Sequence, residues 1–422
     1  MKWHQLLSTE RQSSREQHPA PPTRHTRSAF NRDYGRILYS SAFRRLQDKT
    51  QVFPLGRNDY VRTRMTHSLE VANVGRTLAL RLCDIASARA CDAAPEPDAL
   101  VDIVATVCLA HDIGNPPFGH SGEDAINAAL KGTRFESFQF EGNAQGFRLL
   151  TRTCDPIANH GLDLTAATLG AFAKYPCSAT TKHGFYKKFG IMPDEMPIFS
   201  EVARLCGLPA LDTAGGVWAR HPLALLMEAA DDISYLIADV EDAYFSKIIG
   251  YDDCIAQLAS MDALYDAKKH AHKSDPRAQA NHVHMARAIA VGACIDRVSR
   301  VLSDHYDAIM DGRFTGSLMA HTDYSAKYDA VKDFSVKNIY NHESVTRIEI
   351  AGFAVLKGLL ELFMEWVTSP QSSLGRKIGD ILHAPPTTDE YERFLHVIDY
   401  LSGMTDSYAL HTYTTLMGRT PL

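Results

Sequence analysis

From Ala29 onward the helical period dominates this chain, with short helices and turns mixed over 131–220, and the alternation that marks strands is nearly absent. That pattern restricts the fold to packed helices with at most a small hairpin, so the class is mainly α. A length of 422 residues allows one elaborate domain or two to three ordinary ones. Helices are predicted over about 30–46, 64–82, 98–112, 123–130, 222–245, 285–310, 344–367 and 390–417, the last interrupted at Gly403. Residues 52–59 carry Pro, Gly and Asn-Asp turn signals and have room for the hairpin. Polar stretches at 266–284 and 368–377 separate the later helices. Residues 1–28, with His18-Pro19-Ala20-Pro21-Pro22 in the middle, read as a polar, basic, loosely docked arm.

Composition narrows the function classes. The hydrophobic share of 45% and the charged share of 22% are those of a soluble globular protein. No apolar run approaches the roughly 18 residues needed to span a bilayer, and the N-terminus lacks the apolar stretch of a signal peptide. The eight cysteines are scattered without a C-x-x-C pair, which suggests neither a disulfide framework nor a thiolate zinc site; a reducing cytoplasm fits best. The net charge of -6 argues against a surface coated for polyanions. Residues 1–64 nevertheless carry 13 Lys+Arg against 5 Asp+Glu. Either this is a solvated basic arm, or some of its arginines meet phosphates.

Three places put metal-binding side chains on apolar helical faces. His67 opens the stripe Val71, Val74, Leu78 and Leu82; His111-Asp112 closes the helix whose apolar face holds Leu100, Val104 and Val107; Asp231-Asp232 interrupts the run from Leu223 to Ile233. A lone buried histidine is commonly structural. A buried carboxylate is harder to explain that way, because an unpaired charge in the core costs several kcal/mol or more unless a cation or a proton answers it. Two imidazoles and two carboxylates without thiolate suit Mn, Fe, Co, Ni or Zn, and Mg less readily. Past the Pro-Pro-Phe-Gly turn, His120 and Glu123 could form a general acid or nucleophile with its orienting carboxylate, or simply begin a helix. Asp231, Tyr235 and Asp239 stand at i, i+4 and i+8 on one helix and share a face; Asp239 could equally belong to a solvated face. The pairs His270/His272 and His282/His284 read as solvated histidines in a polar loop.

Longer strings carry a resemblance. The run from Phe43 to Pro54 leads into Arg62-Thr63-Arg64-Met65-Thr66-His67-Ser68-Leu69-Glu70-Val71, followed by HDIGNPPFGHSGE at 111–123, FEGNAQGFRLL at 140–150 and EAADDISYLIADVEDA at 228–243. The H…HD…D set resembles the HD superfamily of metal phosphohydrolases. The strings together resemble the deoxynucleoside triphosphate triphosphohydrolases, in particular bacterial dGTPases. The likeness is strong over 29–250 and weaker beyond, where R-x-E-I-A-G at 347–352 and DYLSGMTDSYAL at 399–410 also fit.

The resemblance implies an HD-type catalytic core at 29–250 and a helical C-terminal region at 251–422 that completes the site and makes oligomer contacts. It implies a divalent metal held by His67, His111, Asp112 and Asp231, and hydrolysis of a dNTP, dGTP favoured, to deoxynucleoside and inorganic triphosphate. His120 and Glu123 match the catalytic pair, Arg64 a phosphate-binding arginine, Gln51 and Asp239 the groups on the sugar 3′-hydroxyl, and Tyr235 the ring against the deoxyribose. Lys174, Lys187, Lys188 and Arg347 are further candidates for the phosphate tail, each also readable as a surface charge. A homo-oligomer, tetramer or hexamer, is implied, with a nucleotide effector or single-stranded nucleic acid as further partners and no membrane. Gly142 and Cys177 depart from the His and Trp of many relatives, which bears on base specificity and regulation. The HD ligands alone would also permit a nucleotide monophosphatase or a cyclic-nucleotide phosphodiesterase, and the basic N-terminal stretch a non-catalytic nucleotide sensor or nucleic-acid-binding module.

Overall fold

A computed structural model describes residues 1–13, 27–53, 60–89, 94–153, 160–182, 184–212, 216–262 and 275–418. Among them are 18 α-helices and no β-strand, only isolated bridges such as Thr50 with Thr63. In chain order the helices are α1 (Trp3–Leu6), α2 (Ala29–Tyr39), α3 (Ser41–Arg45), α4 (Arg64–Ala88), α5 (Pro97–Ala110), α6 (Gly119–Leu130), α7 (Gly142–Arg148), α8 (Ala166–Phe172) and α9 (Met196–Cys206). There follow α10 (Pro222–Phe245), α11 (Tyr251–Ser260), α12 (Pro276–Asp304), α13 (Tyr306–Met310), α14 (Ser325–Ser335), α15 (Glu343–Thr368), α16 (Ser373–Ile381), α17 (Glu390–Gly403) and α18 (Asp406–Leu416). The mainly-α expectation is met. The passage read as a hairpin falls partly outside the described residues, at 54–59.

Boundaries moved where a cap overrode the pattern. The single helix expected over 30–46 breaks at Ser40, whose hydroxyl accepts from the Phe43 N–H at 3.1 Å and starts α3. The helix expected from about 285 begins at Pro276, because Asp275 caps it and proline fits its first position. Its polar first turns are its exposed face, so they hid the start. The polar stretch 368–377 is not a simple break between helices: α16 begins inside it, capped by Ser372. The N-terminal segment is docked over its first residues: Trp3 and Leu6 are buried in the main core, and the Trp3 indole donates to the Tyr306 hydroxyl at 3.0 Å. The rest of the expected arm, 14–26, lies outside the described residues.

Two large apolar cores organise the molecule. The main one packs α4, α5 and α10 against each other, with α2, α8, α9 and α12 around them. Close approach of α4 to α5 depends on Gly75, where an added Cβ would lie 2.7 Å from Cys108 Sγ and 3.0 Å from Val104. The second core wraps α6, α16, α17 and α18 around α15. Its C-terminal part begins within α15, whereas the buried residues of α11–α14 belong to the main core.

Two side chains staple the cores together beside the loop after α5. The Lys49 ammonium is enclosed and donates to the carbonyls of Asn115 at 2.6 Å and Ser402 at 2.7 Å. Asp406 accepts from the Thr50 and Phe118 N–H groups, each at 2.9 Å. Burial pushes Lys49 down to about 7, with Asp406 acting against the shift. The unfolded chain therefore holds a proton at Lys49 that the folded chain releases between pH 7 and about 10.4. Folding gains from rising pH across that window. Wild type is expected to gain on Lys49→Met by up to about 1.4 kcal/mol per pH unit there. Urea unfolding of both proteins at pH 7 and 9 measures it; a pH-independent difference rejects the assignment.

Candidate metal centre and active site

Each cluster residue is positioned by local sequence. Thr63 and Thr66 form a reciprocal cap at the start of α4, which fixes Arg64 on the first turn and His67 one turn along. His111 ends α5, and Asn115-Pro116-Pro117 prevents continuation, so Asp112 turns inward from a loop. Asp231 lies in mid-α10. The His111 Nδ1–H donates to the Cys108 carbonyl at 2.6 Å, which turns Nε2 toward the cluster, as an outer partner of a ligating histidine does.

The ligand atoms of His67, His111 and Asp112 lie within 4.8 Å of one another. Asp231 Oδ1 is 3.1 Å from His67 Nε2 and 3.5 Å from His111 Nε2, and Asp112 Oδ2 is 3.6 Å from His111 Nε2. Asp112 Oδ2 is buried and has no hydrogen-bond partner among the described residues. An orphaned buried carboxylate oxygen facing two imidazole nitrogens is the donor set a divalent cation takes. Burial tends to neutralise His111, but Asp112 and Asp231 outweigh it and lift the imidazole to about 9. Burial also works against both carboxylates. Even so, Arg64 and the imidazoles hold Asp112 below its ordinary range, and His111 above all holds Asp231 well below it. The carboxylates thus demand positive charge, which imidazolium protons or a bound cation can supply.

Arg64 is buried and pairs with Asp112 at 2.9 Å, and Asn115 donates to the same carboxylate. The Glu123 carboxylate accepts from the Gly142 N–H at 2.7 Å and lies 3.3 Å from His120 Nδ1. Burial would raise Glu123, yet the His120 hydrogen bond and Lys188 bring it below its usual value. His120 itself is exposed, and among the described residues no hydrogen bond or ion pair joins it to the cluster. Gln51 is half-buried, its Oε1 enclosed without a partner among the described residues. Burial pushes Asp239 well above the carboxylate range, while the Tyr340 hydroxyl donates to it at 2.7 Å. Tyr340 also stacks on Tyr235, with ring centres 6.0 Å apart.

The candidates for the phosphate tail separate. Lys174 reaches the cluster, 3.7 Å from Glu228 and 4.0 Å from Asp231. Lys188 pairs with Glu141 at 3.0 Å and lies 4.0 Å from Glu123. Lys187 is exposed. Arg347 is exposed on α15 and pairs with Glu343 one turn back, so the structure does not bring it to the cluster. His282 and His284 are not loop histidines: they sit on α12, where His282 meets the Tyr251 hydroxyl at 2.5 Å and His284 meets Glu241 at 2.9 Å. His270 and His272 lie outside the described residues.

Tyr340 was not singled out in the sequence. It stands in a π-helical turn, Val336–Tyr340, about a hundred residues from Asp239, with no local pattern to mark it. Tyr340→Phe is expected to cost about 1–3 kcal/mol by leaving a buried acceptor unsatisfied. Urea denaturation measures this, and unchanged stability would mean another donor serves Asp239.

An α-helical core with H…HD…D converging between its helices defines an HD-domain hydrolase. Residues 64–168 match the HD domain family, and residues 318–415 match the phosphohydrolase-associated domain. The chain is 38% identical to a deoxyguanosinetriphosphate triphosphohydrolase-like protein of Synechocystis sp., over 99% of both chains. It is 39% identical to a protein of the same description from Pseudomonas aeruginosa, over 93% of this chain and 94% of that one. Identity to the deoxyguanosinetriphosphate triphosphohydrolase of Yersinia pseudotuberculosis is 30%, over 92% of this chain and 93% of that one. The chain belongs to the deoxyguanosinetriphosphate triphosphohydrolase-like family. Among the described residues no helix is long and apolar enough to cross a membrane.

Proposed function

We propose that this protein hydrolyses deoxynucleoside triphosphates, dGTP by preference, to the deoxynucleoside and inorganic triphosphate, with a divalent metal. The observation that carries the reading is the convergence of two imidazole Nε2 atoms and two carboxylates beside a buried, ion-paired arginine. Tyr235 and the buried Asp239 follow one and two turns along the helix of Asp231. His67, His111, Asp112 and Asp231 would hold the metal, with manganese, magnesium, cobalt, iron, nickel and zinc as candidates. A divalent cation, when bound, supplies positive charge that polarises a phosphoryl oxygen and acidifies a water.

The other residues orient and transfer. Arg64, clamped by Asp112 on one side, turns its remaining N–H groups to the phosphates. Glu123 accepts from His120 Nδ1, which leaves Nε2 to take or give a proton at the α-phosphate. Lys174 and Lys188 add charge along the triphosphate. Asp239 and Gln51 take the sugar 3′-hydroxyl, and the Tyr235 ring excludes a 2′-hydroxyl. Homo-oligomerisation to a tetramer or hexamer, response to a nucleotide effector or single-stranded nucleic acid, and a cytoplasmic location belong to the same reading.

The test incubates manganese-loaded protein with each dNTP and with GTP and identifies the products. Triphosphate from dNTPs, most rapidly from dGTP, is the expected result. Pyrophosphate or single phosphate as product rejects the reaction. Turnover confined to a monophosphate or a cyclic nucleotide would move the chain to another HD chemistry, and binding of dGTP without turnover would make it a sensor.

A further inference from the structure

A cavity in the C-terminal core lies apart from the cluster. It measures about 500 Å³ and opens between the end of α15, α16 and the segment leading into α17. Trp366 on its wall is 14 residues beyond Gly352, the glycine against which Phe118 packs beside the HD loop. That is about 21 Å along α15 at 1.5 Å per residue.

The lining is rich in donors and poor in acceptors. Arg376, Lys377 and Arg393 face a single carboxylate, Asp380, and no ion pair within 4.0 Å joins any of them to a carboxylate among the described residues. Arg393 is the informative member. Its side chain is buried, with Nε donating to the Val367 carbonyl at 3.0 Å and Nη1 to the Thr388 carbonyl at 3.0 Å. Carbonyls hold its Nε and Nη1, no carboxylate pairs with it among the described residues, and Nη2, which bonds no protein group there, is open to solvent on the cavity side. A guanidinium held by carbonyls, with no carboxylate partner and a free N–H edge toward a cavity, is suited to receive an anion. The Trp366 indole N–H also has no acceptor among the described residues. Gly379 allows that edge to line the cavity: a Cβ there would stand 2.8 Å from Nε1. The volume is in the range of small-ligand sites.

We infer that this cavity binds a short polyphosphate chain, as free inorganic triphosphate or as the tail of a nucleoside triphosphate. Two exposed cations, Arg376 (bonded to the Gln371 carbonyl at 3.0 Å) and Lys377, with the fixed Arg393 guanidinium suit several linked phosphates better than a lone monoanion. The inference does not depend on the reaction proposed above, and its readout is binding.

The experiment titrates inorganic triphosphate into full-length, metal-free protein by calorimetry in an Arg64→Met/Asp112→Ala background, which removes the phosphate-facing arginine together with its carboxylate partner. The same titration is made with Arg376→Gln and Lys377→Gln added. Arg393 is left intact because it also holds the end of α15. A single saturable site is expected in the first protein, weakened at least tenfold in the second, with unchanged thermal melting. Displacement of triphosphate by dGTP but not by deoxyguanosine would assign recognition to the phosphates. Equal affinity in the two proteins overturns the inference, as does displacement by deoxyguanosine. Displacement by sulfate at matched ionic strength would reduce the cavity to an adventitious anion site and equally overturn it.

Discussion

Asp112→Ala is expected to reduce dNTP turnover by about 10³-fold or more and to destabilise the protein at once. A loss of that size corresponds to about 4 kcal/mol of transition-state stabilisation. It follows from removing one of the four proposed metal ligands and the carboxylate that pairs with Arg64. The stability loss has a separate origin. Arg64 is buried, and its ion pair among the described residues is with Asp112 at 2.9 Å. Removing one member of a buried pair typically costs about 3–5 kcal/mol because the other charge remains. Arg64→Met combined with Asp112→Ala should therefore recover much of the stability and none of the activity. Manganese gives a third readout, since an ion that binds the folded state alone raises its stability in proportion to the logarithm of its concentration. Wild type should melt at higher temperature with manganese than with chelator, and Asp112→Ala should not. Turnover within tenfold of wild type, or an unchanged manganese shift in the variant, would sink the metal assignment.

What could be read from the sequence divides along physical lines. His67, His111-Asp112 and the pair Asp231-Asp232 stand out because polar groups on apolar helical faces violate the pattern around them; the choice of Asp231 within its pair comes from the family resemblance, and the structure brings the donor atoms of His67, His111, Asp112 and Asp231 together. Helix α10 was read with its observed bounds because proline at its first position and a continuous apolar run mark it. Harder to read was anything that depends on which helices become neighbours. Tyr340 meets Asp239 across about a hundred residues, and Lys174 meets Asp231 across 57. Arg347 shows the converse. Its motif suggested phosphate, yet an acid one turn back on the same helix holds it on the surface.

The C-terminal part shows the same limit. Lys49 and Asp406 sit in recognisable strings, but only the fold reveals that each reaches backbone groups on the far side of the core boundary. A buried lysine bonded to carbonyls has no sequence signature distinct from that of a surface lysine. Arg393 is hidden for the same reason: it follows a polar first turn, Glu390–Glu392, and nothing in the sequence separates it from that exposed turn, whereas its burial comes from the packing of α15 against α17.

Gly114→Ala is expected to be among the most destabilising single-methyl additions available in this chain. The loop that carries His111-Asp112 runs so close to α7 that a Cβ at Gly114 would lie 1.9 Å from the Gly142 carbonyl oxygen and 2.1 Å from the Gly146 nitrogen. Both neighbours are backbone, so no side chain can swing aside. Nor can α7 retreat readily. Its Gly142 N–H is bonded to Glu123, and Gln145 on its inner side is buried and bonded to Asp399 at 2.8 Å and Ser402 at 3.0 Å. Overpacking of a core typically costs about 1–3 kcal/mol, and rigid backbone on both sides places this case at or above the top of that range. Gly292→Ala is the natural control. It adds the same methyl on α12, where a Cβ meets nothing within 4 Å, and a helical Gly→Ala change there should stabilise by up to about 1 kcal/mol. Urea unfolding of the two variants should therefore move in opposite directions. The folded fraction of Gly114→Ala should also lose dNTP turnover, because any relief of the clash displaces Asp112 two residues upstream. Wild-type stability in Gly114→Ala would mean that the loop and α7 can separate without loss, and the tight seating of the HD pair would then have another cause.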